Sequence, residues 1–138
     1  MEVYEPLYPL LKHKPEFLFE AAQSLSKTGQ YEKANEYLER AVLLSSDPML
    51  YYVMAKNEQC LGEYRQAEKH LLHAIDILPE RIYPYYLLMN LYTEPSYFQP
   101  AKLKMAIDSV LTKKPKVESS AIKEMKEKAR SMLNNTSI

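Results

Sequence analysis

Residues 28–42 (TGQYEKANEYLERAV) and 61–75 (LGEYRQAEKHLLHAI) carry one pattern, Gly-x-Tyr-x-x-Ala-x-x-x-Leu-x-x-Ala. Gly29, Tyr31, Ala34, Leu38 and Ala41 fall on Gly62, Tyr64, Ala67, Leu71 and Ala74 at a constant offset of 33 residues. A further 34 residues on, Ser96, Phe98, Ala101, Met105 and Asp108 predict a degenerate third copy, which keeps the aromatic, the first alanine and a large apolar residue. A fixed period of this size belongs to arrays whose units bury their apolar faces only against one another.

A second stripe precedes each copy. Leu18, Ala21, Ala22 and Leu25 lie at i, i+3, i+4 and i+7, one face of a helix. The same offsets give Tyr51, Met54, Ala55 and Glu58, then Tyr85, Leu88, Met89 and Tyr92. Each unit is therefore helix, short turn, helix. Gly29 and Gly62 lie at the turns, where a helix C-terminus commonly calls for positive φ. Pro48 and Pro115 fall between helix pairs, Pro79 ends a helix, and Pro84 and Pro100 suit first turns, where a missing N–H is no loss. The spacing predicts helices over 15–27, 31–45, 48–61, 64–78, 82–93, 99–113 and 119–133. Ala34, Ala41, Ala67 and Ala74 are small where two helices approach closely. The last helix sets Ile122, Met125, Ala129 and Met132 on one side and charge on the other, with Ser119 or Ser120 as its N-cap.

This pattern resembles the tetratricopeptide repeat family, closely at residues 29–41 and 62–79 and loosely at 98–105. The resemblance implies an all-α fold, a right-handed superhelix of three helix-turn-helix repeats plus a C-terminal capping helix. The repeats are expected at 15–47, 48–81 and 82–115, the cap at 116–134, a lead-in or linker at 1–14 and a frayed tail at 135–138. More narrowly, ERIYPYYLLMNLY (80–92) and KVESSAIKEMKEKA (116–129), with LYPLLKHKPEFLFEAAQSL (7–25) as the entry, resemble the C-terminal repeat region of O-antigen ligase/polymerase-like membrane proteins of Gram-negative bacteria. That resemblance implies a non-catalytic tail whose membrane domain, carrying the glycan chemistry, lies elsewhere, tethered to the bacterial inner membrane.

Chemistry is sparse. Two glycines in 138 residues exclude a glycine-rich phosphate cradle, and no nucleophile–base motif is written. Cys60, the single cysteine, can form no internal disulfide and has no activating partner at a telling spacing. His70, His73 and Asp76 stand three apart on one helix, a spacing open to a metal, yet no further His or Cys lies nearby, and solvated side chains account for them. His13 lies in a polar segment. No metal, cofactor or catalytic residue is expected.

No apolar run is long enough to span a bilayer. Net charge is zero but uneven: residues 1–101 hold 9 Lys/Arg and 14 Asp/Glu, residues 102–138 hold 9 and 4. A basic tail can meet an anionic surface. Against that, Glu124–Lys128 and Lys123–Glu127 stand at i,i+4, where they would neutralise one another. Nucleic acid would want a basic stripe through the repeats, which are acidic. The triplets in NNTS (134–137) fit N-glycosylation only as short chance patterns.

What remains is a surface for a protein or peptide. In the family it resembles, the first helix of each pair lines a concave groove. The offsets align Phe19, Tyr52 and Tyr86 in one row and Gln23, Lys56 and Asn90 in another, with Tyr83 widening the first. Within each helix the two residues are four apart and share a face. The groove-side register, Phe19, Val53, Tyr83 and Leu87, offers no cation to clamp a carboxylate. Two readings of the aromatic row stand: a stacking and hydrogen-bonding groove, or rings packed between helices. The function expected is that of a protein-interaction scaffold, either the tail of a membrane-bound glycan ligase or polymerase or a stand-alone adaptor. Direct glycan binding by the tyrosines is a third reading, and oligomeric state is left open.

Overall fold

Proline opens the helices. Pro15, Pro48 and Pro100 take the first helical position and Pro84 the second, where the backbone lacks an intrahelical acceptor anyway. The computed structural model describes residues 14–135. Among these are seven α-helices and no strand: α1 (Pro15–Lys27), α2 (Tyr31–Ala41), α3 (Pro48–Cys60), α4 (Tyr64–Ile77), α5 (Tyr83–Tyr92), α6 (Pro100–Thr112) and α7 (Ser120–Asn135). A single 3-10 turn, Pro95–Tyr97, precedes α6. Apart from Lys14 and Asn135, the expected lead-in and frayed tail lie outside the described residues, as do His13 and half of NNTS.

The chain divides into two compact units, Met1–Ile77 and Leu78–Ile138. In the first, α1 pairs with α2, α3 with α4, and α2 packs on α3, which α1 also touches. Leu18, Ala21, Ala22 and Leu25 of α1 meet Ala34, Leu38 and Ala41 of α2 in one buried cluster with Met54 of α3. The alanines at 0 % exposure let the helices close on Leu18, Leu25 and Leu38, each contributing about 1.5–3 kcal/mol by its burial.

The turns set how each pair closes. Gly29 and Gly62 have φ of 82° and 78°. Around each, the next N–H reaches back into the first helix: Gln30 N to Leu25 O at 2.9 Å, Glu63 N to Glu58 O at 2.8 Å. The glycine N–H groups bond Ser26 O and Gln59 O, both at 3.1 Å, completing a Schellman motif in each pair. A Cβ at either glycine would meet nothing within 4 Å, so conformation alone demands glycine here.

Helix α2 ends at Ala41, short of the expected 45. Residues 42–44 tighten into i→i−3 bonds, Leu43 N to Arg40 O at 3.2 Å and Leu44 N to Ala41 O at 2.9 Å. The chain must extend early because Asp47 caps α3, accepting from Met49 N at 3.0 Å, with Pro48 behind it. Leu43 is left 83 % exposed. Ser119 caps α7 through its hydroxyl, which accepts from Ile122 N at 3.2 Å.

The second unit corrects the register of the third repeat. Ala101, Met105 and Asp108 are exposed, Met105 at 69 %. Leu103, Ala106, Ile107 and Val110 are buried instead. Leu103, Ile107 and Val110 thus continue the Ala67, Leu71 and Ala74 positions at an offset of 36. The first-helix stripe keeps its offset of 34, so the two extra residues sit in the connection, where the 3-10 turn takes the place of the glycine. The closing bond survives: Gln99 N reaches Tyr92 O at 3.3 Å across seven residues instead of five. Helix α7 packs on α6 and α5 with Ala129 fully buried, and Lys126 Nζ caps α6 by donating to Leu111 O at 3.2 Å and Lys113 O at 2.9 Å.

Two stability predictions follow from these turns and this register. Gly62→Ala should cost about 1–2 kcal/mol in urea melts, because only positive φ opposes it, and Gly62→Asn should cost less; an indifferent alanine would refute the turn. Ile107→Ala should cost about 2–5 kcal/mol while Met105→Ala stays within roughly 0.5 kcal/mol. The reverse order would restore the offset of 34.

Candidate functional site

Among the described residues, helix α1 packs on α2 and touches α3. Phe19 is half-buried and packed against the first unit's core, and Gln23 four residues on is exposed. Helix α3 lies between α2 and α4 and buries Leu50, Tyr52, Met54, Ala55, Asn57 and Glu58. Tyr52 is therefore core, 5 % exposed, while Lys56 remains exposed. The helices packed on α3, which a repeat offset does not count, bury Tyr52.

In the second unit, Tyr83, Tyr86 and Asn90 lie half-buried at i, i+3 and i+7 of α5. The rings of Tyr83 and Tyr86 stack with centroids 6.4 Å apart and planes at 25°. Over the Tyr86 ring comes a residue that the repeat pattern leaves out. Lys128 of α7 sets its ammonium 5.5 Å from the Tyr86 ring centroid and donates to Asn90 Oδ1 at 2.8 Å. The i,i+4 partner expected for it, Glu124, is not its partner, and Lys123 and Glu127 do not pair either. Thirty-eight residues separate Lys128 from Asn90, beyond the reach of any local spacing. Lys113 and Lys102 stand likewise over Tyr85 and Tyr92, at 5.0 and 6.0 Å.

The histidines are not merely solvated side chains. His70 Nδ1 lies 2.7 Å from Glu58 Oε1, both largely buried, with side-chain exposures of 18 % and 6 %. Glu58 occupies the position that Leu25 and Tyr92 fill in the other units, and a carboxylate there needs a partner. His73 meets the Tyr51 ring edge-on at 4.6 Å. No group of three or more His, Cys, Asp and Glu among the described residues could hold a metal ion. Cys60 is exposed at the end of α3 and hydrogen-bonds the Tyr31 side chain. That bond, then the negative charge Cys60 carries as a thiolate, raises the Tyr31 pKa above the ordinary tyrosine value. Sequence spacing missed this pair because its members start one helix and end another.

A polar chain also threads the first unit. Ser26 Oγ donates to Asn57 Oδ1 at 2.8 Å, Asn57 Nδ2 to Asn35 Oδ1 at 2.8 Å, and Asn35 Nδ2 to Met54 O at 3.3 Å. It ties α1, α2 and α3 together from inside and offers no group to a ligand. Among the described residues, no helix is long and apolar enough to cross a membrane.

Comparison with known proteins agrees with this architecture. Two crystal structures of MamA superpose with TM-scores of 0.72 and 0.73, at 20 % and 19 % identity. They cover 95 % and 96 % of this chain and 75 % and 76 % of their own. At such identity the likeness is one of fold. No curated protein matches the chain. Neither the family model nor these structures supports the narrower resemblance to O-antigen ligase/polymerase-like proteins. The model that matches, over residues 1–74, is that of anaphase-promoting complex, cyclosome, subunit 3. That match spans more than half the sequence, and the chain belongs to this family of tetratricopeptide-type repeats.

Proposed function

We propose that this chain is a non-catalytic interaction module that holds a protein or peptide segment of a partner on the first-helix faces of its repeats. The observation that carries the reading is a pair of side chains recurring independently in the two units. Phe19 with Gln23 on α1 and Tyr86 with Asn90 on α5 each set a half-buried ring four residues before an amide, exposed in Gln23 and half-buried in Asn90. A ring supplies area at small entropic cost and an amide supplies donors and acceptors for a backbone, which together suit an extended segment. Lys56 adds an ammonium in the first unit and Tyr83 a second ring in the other. Tyr52 supports the surface from the core rather than facing a partner.

The finer reading, a tail of a membrane-bound O-antigen ligase or polymerase, has only the runs at 7–25, 80–92 and 116–129 in its favour. Membrane spans encoded in frame upstream would support it, and their absence there would leave the adaptor. Glycan capture by the tyrosines predicts binding of free oligosaccharide, which a peptide surface does not.

The module is tested by substitution. Phe19→Ala combined with Tyr86→Ala should abolish capture of the partner from extracts of the source cell while leaving the thermal midpoint within a few degrees. Tyr52→Ala should instead lower stability by about 3 kcal/mol, as loss of a buried aromatic does. Undiminished capture by the folded double variant would place the interaction elsewhere.

A further inference from the structure

We infer that the exposed face of α6 is a membrane-contact surface, which rests on an anionic bilayer with Met105 and Phe98 at the acyl boundary and lysines among the headgroups. The shifted register of the third repeat carries this. Residues that an offset of 34 would bury stand outside: Met105 is 69 % exposed, Phe98 is 50 % exposed, and Ala101 between them is open to solvent. Ala101 and Met105 are four apart and share one side of α6, and Phe98 stands just before the N-cap residue Gln99. Single exposed apolar side chains are ordinary. Here they are bracketed by cations. At about 100° per residue, Lys102 lies about 60° to one side of Met105 and Lys104 about 100° to the other. A helix resting on a bilayer has this arrangement, with apolar side chains inserted and lysine stems carrying their ammonium groups up to the headgroups. Because α6 satisfies its own backbone, only side chains need enter.

Charge selects the occupant. Residues 98–117 hold Lys102, Lys104, Lys113, Lys114 and Lys116 against a single acid, Asp108. Val117, beside Lys116, is a further exposed apolar side chain. Lys126 and Lys128 are engaged on the end of α6 and on α5. Lys104, Lys114 and Lys116 are exposed and form no ion pair among the described residues. An excess of this sign repels a second copy of the same face and attracts anionic headgroups, by an amount that grows with each lysine. Nucleic acid fits less well: residues 98–117 contain no arginine to fork onto a phosphate, and Met105 has no ring to stack on a base.

This surface is separate from the partner face on the first helices, so Phe19→Ala combined with Tyr86→Ala should leave it intact. The test is flotation of the full chain with vesicles of phosphatidylcholine containing roughly 40 % phosphatidylserine, whose surface is negative, against pure phosphatidylcholine. The chain should float with the anionic vesicles, stay behind with the neutral ones, and be released as salt rises to about 0.5 M. Lys104→Gln combined with Lys114→Gln should weaken partition about thirtyfold. Met105→Ser should weaken it about tenfold, with unchanged circular dichroism. Lys27→Gln combined with Lys69→Gln, which removes the same charge from exposed positions of the first unit, should retain binding. No binding to the anionic vesicles, equal binding to the neutral ones, an equal loss in the first-unit control, or an indifferent Met105→Ser would overturn the surface. So would a Met105-dependent dimer in sedimentation velocity without vesicle binding, which would make the face a contact between copies. Capture of an RNA oligomer in place of vesicles would overturn it too.

Discussion

One backbone hydrogen bond recurs in every helix pair, and the pairs take their form from it. The N–H of the residue just before the second helix returns to a carbonyl on the buried stripe of the first: Gln30 to Leu25, Glu63 to Glu58, Gln99 to Tyr92. Each of these residues also starts the second helix, its carbonyl accepting from Ala34, Ala67 or Leu103. The bond therefore fixes the rotation of the second helix against the first. With that rotation set, Ala34, Ala67 and Leu103 face inward and the ladder of buried positions beyond them follows at helical spacing. Glycine serves the bond wherever the connection is short, because only positive φ turns the chain within three residues.

The sequence made the pairs legible because period and punctuation agreed: a stripe, a glycine, a second stripe, with proline at helix starts. Where they parted, the reading slipped. At 96–108 an offset of 34 aligned an aromatic and an alanine that happened to match, and put Met105 in the core instead of Ile107. The missing glycine was the warning, since a connection without it needs more residues to make the same bond. Helix neighbours were a second blind spot. A repeat offset treats α1 and α3 alike, yet α3 has helices on both sides and Tyr52 is buried where Phe19 is not. The proposed surface was half legible for the same reason: Tyr86 and Asn90 follow from the offset, while Lys128, which contacts both, comes from a helix outside the repeat.

The first unit's interior also carries polar side chains that composition does not announce. Asn35, Asn57 and Ser26 satisfy one another across three helices, and Glu58 meets His70. A buried amide or carboxylate left alone costs on the order of 1–3 kcal/mol or more, so these contacts penalise any sliding of α2 or α4 along α3. Alanine-lined helix contacts are smooth and tolerate slippage. The amide chain and the Glu58–His70 contact therefore favour one register of the first unit over slipped ones.

The connection at residues 93–99 has a meaning beyond its own unit. It shows that a closing bond spanning five residues elsewhere can span seven without loss of the helices on either side. Length at that corner is thus a free variable of the architecture, while the bond's two ends are not. Such a corner is where a foreign loop, an epitope or a sensor peptide could be spliced into a scaffold of this kind, provided the spliced segment still ends with a residue whose N–H returns to Tyr92.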